Sequence, residues 1–230
     1  MTLRYGIIAA VAFGWAVTLP TMATAAGKRH AVKSYNFTFA ADTLGHAPAN
    51  SVPFGGTWQV IPDSAGIAAD SSSHDTTAVV PRVLRQSEDQ DGLKFHYIQF
   101  PKPALDNIIV SVRFRIISGE IDPSAGVMFQ VDPKGRNGYI VRASAESGQL
   151  AVHYFLSGRR RDLRVAKIEK PEPNTWHTLE VEHVGTVMIV RYDGVETIRI
   201  REERYSHGCL GLWSEEDTVV DFEGLKVAIR

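Results

Sequence analysis

The side chains best suited to chemistry are scattered histidines, one Ser-His-Asp run and an acidic stretch near the C-terminus. His74, His96, His153, His177, His183 and His207 form no H-E-x-x-H or comparable metal spacing. His177 and His183 stand six residues apart on one expected strand, hence on one face, but a hydrogen-bonded or solvated role outweighs ligation for each. Ser71-Ser72-Ser73-His74-Asp75 contains the residue types of a hydrolytic triad. Consecutive side chains cannot converge on one another, so that run is read as an exposed loop. Glu215-Glu216-Asp217 and Asp221-Phe222-Glu223 offer hard oxygen ligands at a rim, which suits calcium. Asp217 and Asp221 are the candidate ligands. The preferred role for Asp217 is to accept backbone N–H bonds in a turn. No cofactor is expected, calcium being the one ion the residue types admit.

Glu120-Ile121-Asp122 invites comparison with glycoside hydrolase family 16, whose strand carries Glu, Asp and a second Glu at intervals of two and three residues. Ala125 stands where the third carboxylate belongs, and Pro123 suits a loop better than a central strand. Retaining hydrolysis needs two carboxyl groups about 5 Å apart, one as nucleophile and one as acid, so that mechanism is incomplete here. The segment is read as a hairpin loop.

A better candidate is a surface assembled from alternate strand positions. In Ile108–Ile117, Val110, Val112, Phe114 and Ile116 point one way, so Ser111, Arg113 and Arg115 point the other. The same parity sets Arg142 beside Ile140, and His153 beside Phe155, away from the core. Arg113, Arg115, Arg142 and His153 are therefore expected on one open face, with Gln130 joining them and Tyr139 too if the local parity is reversed. Arginine forks bind hydroxyl pairs or carboxylates, and aromatic rings stack on sugar C–H faces. The alternative is an ordinary solvent-facing sheet.

The elements that would position these residues read as short strands with almost no helix. Tyr35, Phe37 and Phe39 alternate with polar residues, and Gly55-Gly56 allow a bend before a strand containing Trp58. Leu93–Phe100 breaks its alternation, which implies a bulge or a strand buried on both faces. Further strands are expected from residue 126 to residue 229. Turns are expected at Pro133-Lys134-Gly135, Ser147-Gly148, Ser157-Gly158, Gly185 and Asp193-Gly194. Arg159-Arg160-Arg161 is assigned to the solvated turn after Gly158. Trp176, Leu212 and Trp213 are expected in the core. More than a dozen strands in one domain imply an all-β, antiparallel two-sheet jelly-roll sandwich.

Of 230 residues, 25 are Lys or Arg and 26 Asp or Glu, a formal net charge of −1. That balance leaves no electrostatic footprint for nucleic acid. The single cysteine, Cys209, lies in Cys-Leu-Gly-Leu-Trp and is read as a small buried hydrophobe. Arg4, the apolar run from Tyr5 to Leu19 and Ala23-Thr24-Ala25-Ala26 have the three-part layout of a secretory signal peptide, expected over 1–26. Residues 27–230 then form one sandwich domain, exported to the periplasm or the extracellular space, monomeric and without stable membrane insertion.

Ala125-Gly126-Val127-Met128-Phe129, Gly138–Ala143, Trp176–Glu182, Tyr192-Asp193-Gly194, Gly208–Trp213 and Asp217–Leu225 together resemble a concanavalin A-like lectin/glucanase sandwich. Among such domains they are most similar to the bacterial secreted 3-keto-disaccharide hydrolase-like and laminin-G-like families. The resemblance implies a saccharide or glycan as partner. A non-catalytic glycan-binding module is the leading reading, with a hydrolase or lyase acting on a saccharide or 3-keto-disaccharide as the alternative. A structural or protein-interaction domain of the cell envelope is the third.

Overall fold

The computed structural model describes residues 33–63, 80–87 and 95–229. The expected signal peptide and the Ser71–Asp75 run lie outside them. Fifteen strands are described: β1 (Lys33–Phe37), β2 (Val52–Phe54), β3 (Trp58–Pro62), β4 (Arg82–Gln86), β5 (Phe95–Leu105), β6 (Ile108–Ser118), β7 (Ser124–Val131), β8 (Gly138–Ser144), β9 (Gln149–Leu156), β10 (Arg159–Lys167), β11 (His177–Val184), β12 (Val187–Tyr192), β13 (Val195–Arg201), β14 (Gly208–Glu215) and β15 (Val219–Ile229). No helix occurs among the described residues, and so none long and apolar enough to cross a membrane.

Two antiparallel sheets result. One has eight strands in the order β13-β12-β11-β6-β15-β4-β3, with β1 also paired to β15; the other has seven, β10-β9-β8-β7-β14-β5-β2. The expected two-sheet jelly-roll sandwich is the observed architecture. Its core lies between the sheets, where Val110, Val112, Phe114 and Ile116 of β6 meet Val127 and Phe129 of β7, Val141 of β8 and Leu212 of β14. Two hairpin turns take positive φ at both central residues, each with glycine second: Ser157-Gly158 (54° and 78°) and Asp193-Gly194 (47° and 80°).

The seven-stranded sheet departs from the usual arrangement, in which an outer face meets water. Every residue of β7, β8 and β14 is buried. A second apolar cluster, Tyr97, Met128, Val131, Ile140, Phe155 and Trp213, covers the side of this sheet away from the core. The broken alternation of β5 has the same origin. Ile98 and Phe100 face the inter-sheet core while Tyr97 faces the outer cluster, so the strand is apolar on both sides.

Three expectations about this frame need correction. Trp213 is fully buried, but in the outer cluster rather than between the sheets. Trp176 precedes β11, is half-buried, and lies under the Arg113 and Arg115 guanidiniums at 5.1 and 4.6 Å. The strand expected over Leu93–Phe100 does not stop at Phe100. β5 runs on through Pro101 and Pro103 to Leu105, because its partner β2 pairs only with Tyr97–Gln99 and, among the described residues, no strand pairs with the proline stretch on that side to require N–H groups. Cys209 is buried, its thiol against the Pro101 carbonyl, and burial raises its pKa.

Candidate functional site

The four side chains expected on one face occupy two. Gly119–Pro123 carries the chain from β6 in the eight-stranded sheet to β7 in the seven-stranded one, so strand parity does not transfer across that loop. Arg113 and Arg115 stand on the outer face of the first sheet, Arg142 and His153 on the outer face of the second. Nor is the set open: Arg115, Arg142 and His153 are 6, 9 and 3% exposed. Tyr139 and Gln130 turn inward. The Tyr139 hydroxyl donates to Glu202 Oε1 at 3.1 Å and accepts from the Tyr205 N–H, and burial pushes its pKa up. Gln130, at φ 50° beside a register shift, meets His183 Nδ1 at 2.8 Å.

On the eight-stranded sheet the arginines serve an ion network. Asp221, wholly buried, accepts from Arg85 Nε at 2.6 Å and Nη2 at 2.9 Å, and from Arg115 Nη2 at 2.7 Å. Arg115 Nη2 also reaches Asp63 at 3.0 Å. Burial alone would lower the Arg115 pKa, but the bonds to Asp221 and Asp63 outweigh it and the net direction is up. Arg113 pairs with Glu223. Of the two candidate calcium ligands, Asp221 thus has both oxygens on guanidinium donors. Asp217 accepts the backbone N–H groups of Glu120 and Ile121, a loop-fixing role like the one expected, though in a neighbouring loop. Among the described residues no three His, Cys, Asp or Glu side chains are grouped to hold a metal.

The outer face of the seven-stranded sheet is chemically richer. Its registers align Phe54, Tyr97, Trp213, Gly126, Arg142 and Ala151 in one row across six strands. Phe54 stacks on Tyr97 at 4.7 Å between centroids, and Phe95 on Trp213 at 4.5 Å. Phe155 closes on Phe95 and Trp213 at 5.6 and 5.5 Å. Gly126 separates the indole from Arg142, and a Cβ there would stand 2.1 Å from the Val141 carbonyl oxygen, so the position admits no side chain.

Beside the rings lies a charged cluster. Arg142 Nε is 3.1 Å from Glu215 Oε1, and its Nη1 is 3.3 Å from Asp122 Oδ2 and 2.7 Å from Ser124 Oγ. The hydroxyls of Ser124 and Ser144 donate to Asp122 Oδ1. Arg160 of β10 also pairs with Glu215. His153 Nδ1 is 2.8 Å from Asp162, and its Nε2 is 3.4 Å from Arg142 Nε. Burial, then the positive charges of Arg160 and Arg142, push the His153 pKa down to about 4. The ring is therefore neutral at pH 7, with Nδ1–H donating to Asp162 and the Nε2 lone pair facing Arg142. Burial is also the main reason the pKa values of Arg142 and Arg160 are lowered. Phe54, Phe95 and Asp122 are half-buried, Asp162 is exposed, and the Arg160 side chain keeps 31% of its surface accessible. These form the reachable rim of the cluster.

Asp162, Phe95 and Phe54 were not singled out from the sequence, which assigns Glu215, Asp122 and Arg160 other roles, in an acidic rim, a hairpin loop and a solvated turn. One signal was available: Gly208–Trp213 is apolar on both parities and Ser214-Glu215 follows, the mark of a central strand with a charge at the edge of a second buried patch.

This is the concanavalin A-like sandwich fold. Carbohydrate-binding module CBM66 from Bacillus subtilis is similar in structure, with TM-score 0.61 and 17% identity over 77% of this chain and 94% of that one. The carbohydrate recognition domain of Emp47p follows at 0.53 and 10%, over 84% and 94%. Bacillus licheniformis β-glucanase gives 0.51 and 8%, over 64% and 78%. No family model and no curated protein sequence matches the chain.

Proposed function

We propose that this chain is an exported, non-catalytic carbohydrate-binding domain that takes a saccharide on the outer face of its seven-stranded sheet. The observation that carries this reading is the juxtaposition there of the half-buried rings Phe54 and Phe95, backed by the buried Tyr97 and Trp213, with Arg142, Arg160, Glu215 and Asp122. Rings supply a stacking surface for sugar C–H groups, and the charged forks supply directed hydrogen bonds to hydroxyls. Similar folds named as a carbohydrate-binding module, a carbohydrate recognition domain and a glucanase add support. Export rests on the sequence of residues 1–26.

The non-catalytic part rests on charge pairing. Glu215 and Asp122 both contact the Arg142 guanidinium, so both carboxyl groups are engaged in ion pairs, whereas glycoside hydrolysis needs one to attack or assist and the other to deliver a proton. One observation favours the hydrolase reading, namely that two carboxylates meet on one sheet face. A glycan array with a reducing-sugar assay, run with calcium and with chelator, separates the readings. Binding without product, weakened at least tenfold by Phe95→Ala or Arg160→Gln, supports the proposal. Turnover abolished by Glu215→Gln would replace it with the hydrolase, and the absence of any saccharide ligand would end both.

A further inference from the structure

Arg159-Arg160-Arg161 is not a turn but the start of β10, which among the described residues is an edge strand paired only with β9. Its nine residues carry five cations, Arg159, Arg160, Arg161, Arg164 and Lys167, against one carboxylate, Asp162. Arg160 is paired with Glu215. The other four are exposed, and none makes an ion pair among the described residues. This contrasts with Arg85, Arg113, Arg115, Arg142, Arg191 and Arg199 on the other strands, which pair with carboxylates, in a chain of net charge −1; Arg82 and Arg201 bond the Asp42 carbonyl and the Thr186 hydroxyl. The register sets Arg160 and Asp162 opposite Phe155 and His153, toward the candidate site, and Arg159, Arg161 and Arg164 opposite Leu156, Tyr154 and Val152, on the reverse side. Lys167, opposite Gln149, returns to the candidate-site side. The strand is thus both a wall of the candidate site and, on its reverse side, the base of an arginine strip about 17 Å long at the usual rise per strand residue.

We infer that this strip selects anionic polysaccharides, chains bearing carboxylate or sulfate groups, and holds the part of the polymer that runs past the candidate site. The inference rests on the reading under Proposed function and adds the ligand's charge. Three unneutralised arginines along one side of the strand fit a polymer with repeated anions, and arginine forks match carboxylate and sulfate oxygens in pairs. A β-strand partner adding to this edge is disfavoured by the same charges, since cations on edge strands block edge-to-edge pairing. That blocking is the competing explanation of the strip, and the experiment must tell the two apart.

The test is calorimetric titration of the full chain with polygalacturonate, dextran sulfate, neutral dextran and single-stranded DNA, at low and high salt. The triple variant Arg159→Gln, Arg161→Gln, Arg164→Gln is compared throughout. The expected result is at least tenfold tighter binding of one of the two anionic polysaccharides than of neutral dextran, and which one separates carboxylate from sulfate recognition. That preference should fall with salt and disappear in the triple variant, whose melting temperature and binding to a neutral glycan from the array stay unchanged. Equal affinity for charged and neutral chains overturns the inference while leaving the broader reading intact. DNA bound as tightly as the polysaccharides overturns the choice of ligand. A triple variant that self-associates yet keeps its preference shows an edge guard and also overturns it. If neither charged nor neutral saccharide binds, the broader reading fails with it.

Discussion

Protonation of His153 should be among the larger acid-sensitive terms in the stability of this fold. The imidazole is 3% exposed, and burial beside Arg160 and Arg142 lowers its pKa from 6.5 to about 4. Between these values the unfolded chain binds a proton that the folded chain refuses, so stability is lost as pH falls from about 6.5 toward 4. At about 1.4 kcal/mol per unit, and allowing for half-protonation at the folded pKa, the loss at pH 4 comes to about 3 kcal/mol. His183, also buried with a lowered pKa, contributes in the same direction, so a variant is needed to isolate the term. Urea unfolding followed by tryptophan fluorescence at pH 7, 5.5 and 4 provides the assay, with His153→Gln as the comparison. Wild type should lose about 3 kcal/mol more than the variant between pH 7 and pH 4. Identical losses, or an NMR titration placing His153 near 6.5, would refute the electrostatic account of the cluster.

Three further outcomes follow from burial. Asp221→Asn should destabilise the fold by about 3–5 kcal/mol, because it removes the buried carboxylate shared by Arg85 and the 6%-exposed Arg115 and leaves Arg115 only Asp63; chemical denaturation measures this. Trp213→Ala should cost about 3–5 kcal/mol by the same assay, and an unchanged midpoint would mean that the outer aromatic cluster is not packed as described. Gly126→Ala, whose Cβ would meet backbone at 2.1 Å, should lower the melting temperature more than Gly185→Ala, where no atom lies within 4 Å, although φ there is 59°.

The sequence shows the sandwich well and the candidate site poorly, for physical reasons that differ. Period-two alternation identifies the inner residues of β6 correctly, and Asp193-Gly194 and Ser157-Gly158 mark their hairpins, since both signals are local. Whether the next strand stays in the same sheet is not a local property. Arg115 and Arg142 are therefore separated by a crossing at Gly119–Pro123 that parity cannot register. The pairing of Glu215 with Arg142 and Arg160 depends on β14 inserting between β7 and β5, which joins segments far apart in the chain. Arg159-Arg160-Arg161 looks like a solvated turn because its neighbour Gly158 is one, while the strand that follows is held by pairing to β9.

The most direct test of the central claim is amide chemical-shift mapping during titration with a saccharide that the array shows to bind. The account predicts shifts concentrated at Phe54, Phe95, Asp122, Arg160 and Asp162, the accessible rim on the seven-stranded sheet. Shifts confined to Arg113, Trp176 and Thr178 on the opposite sheet would contradict it.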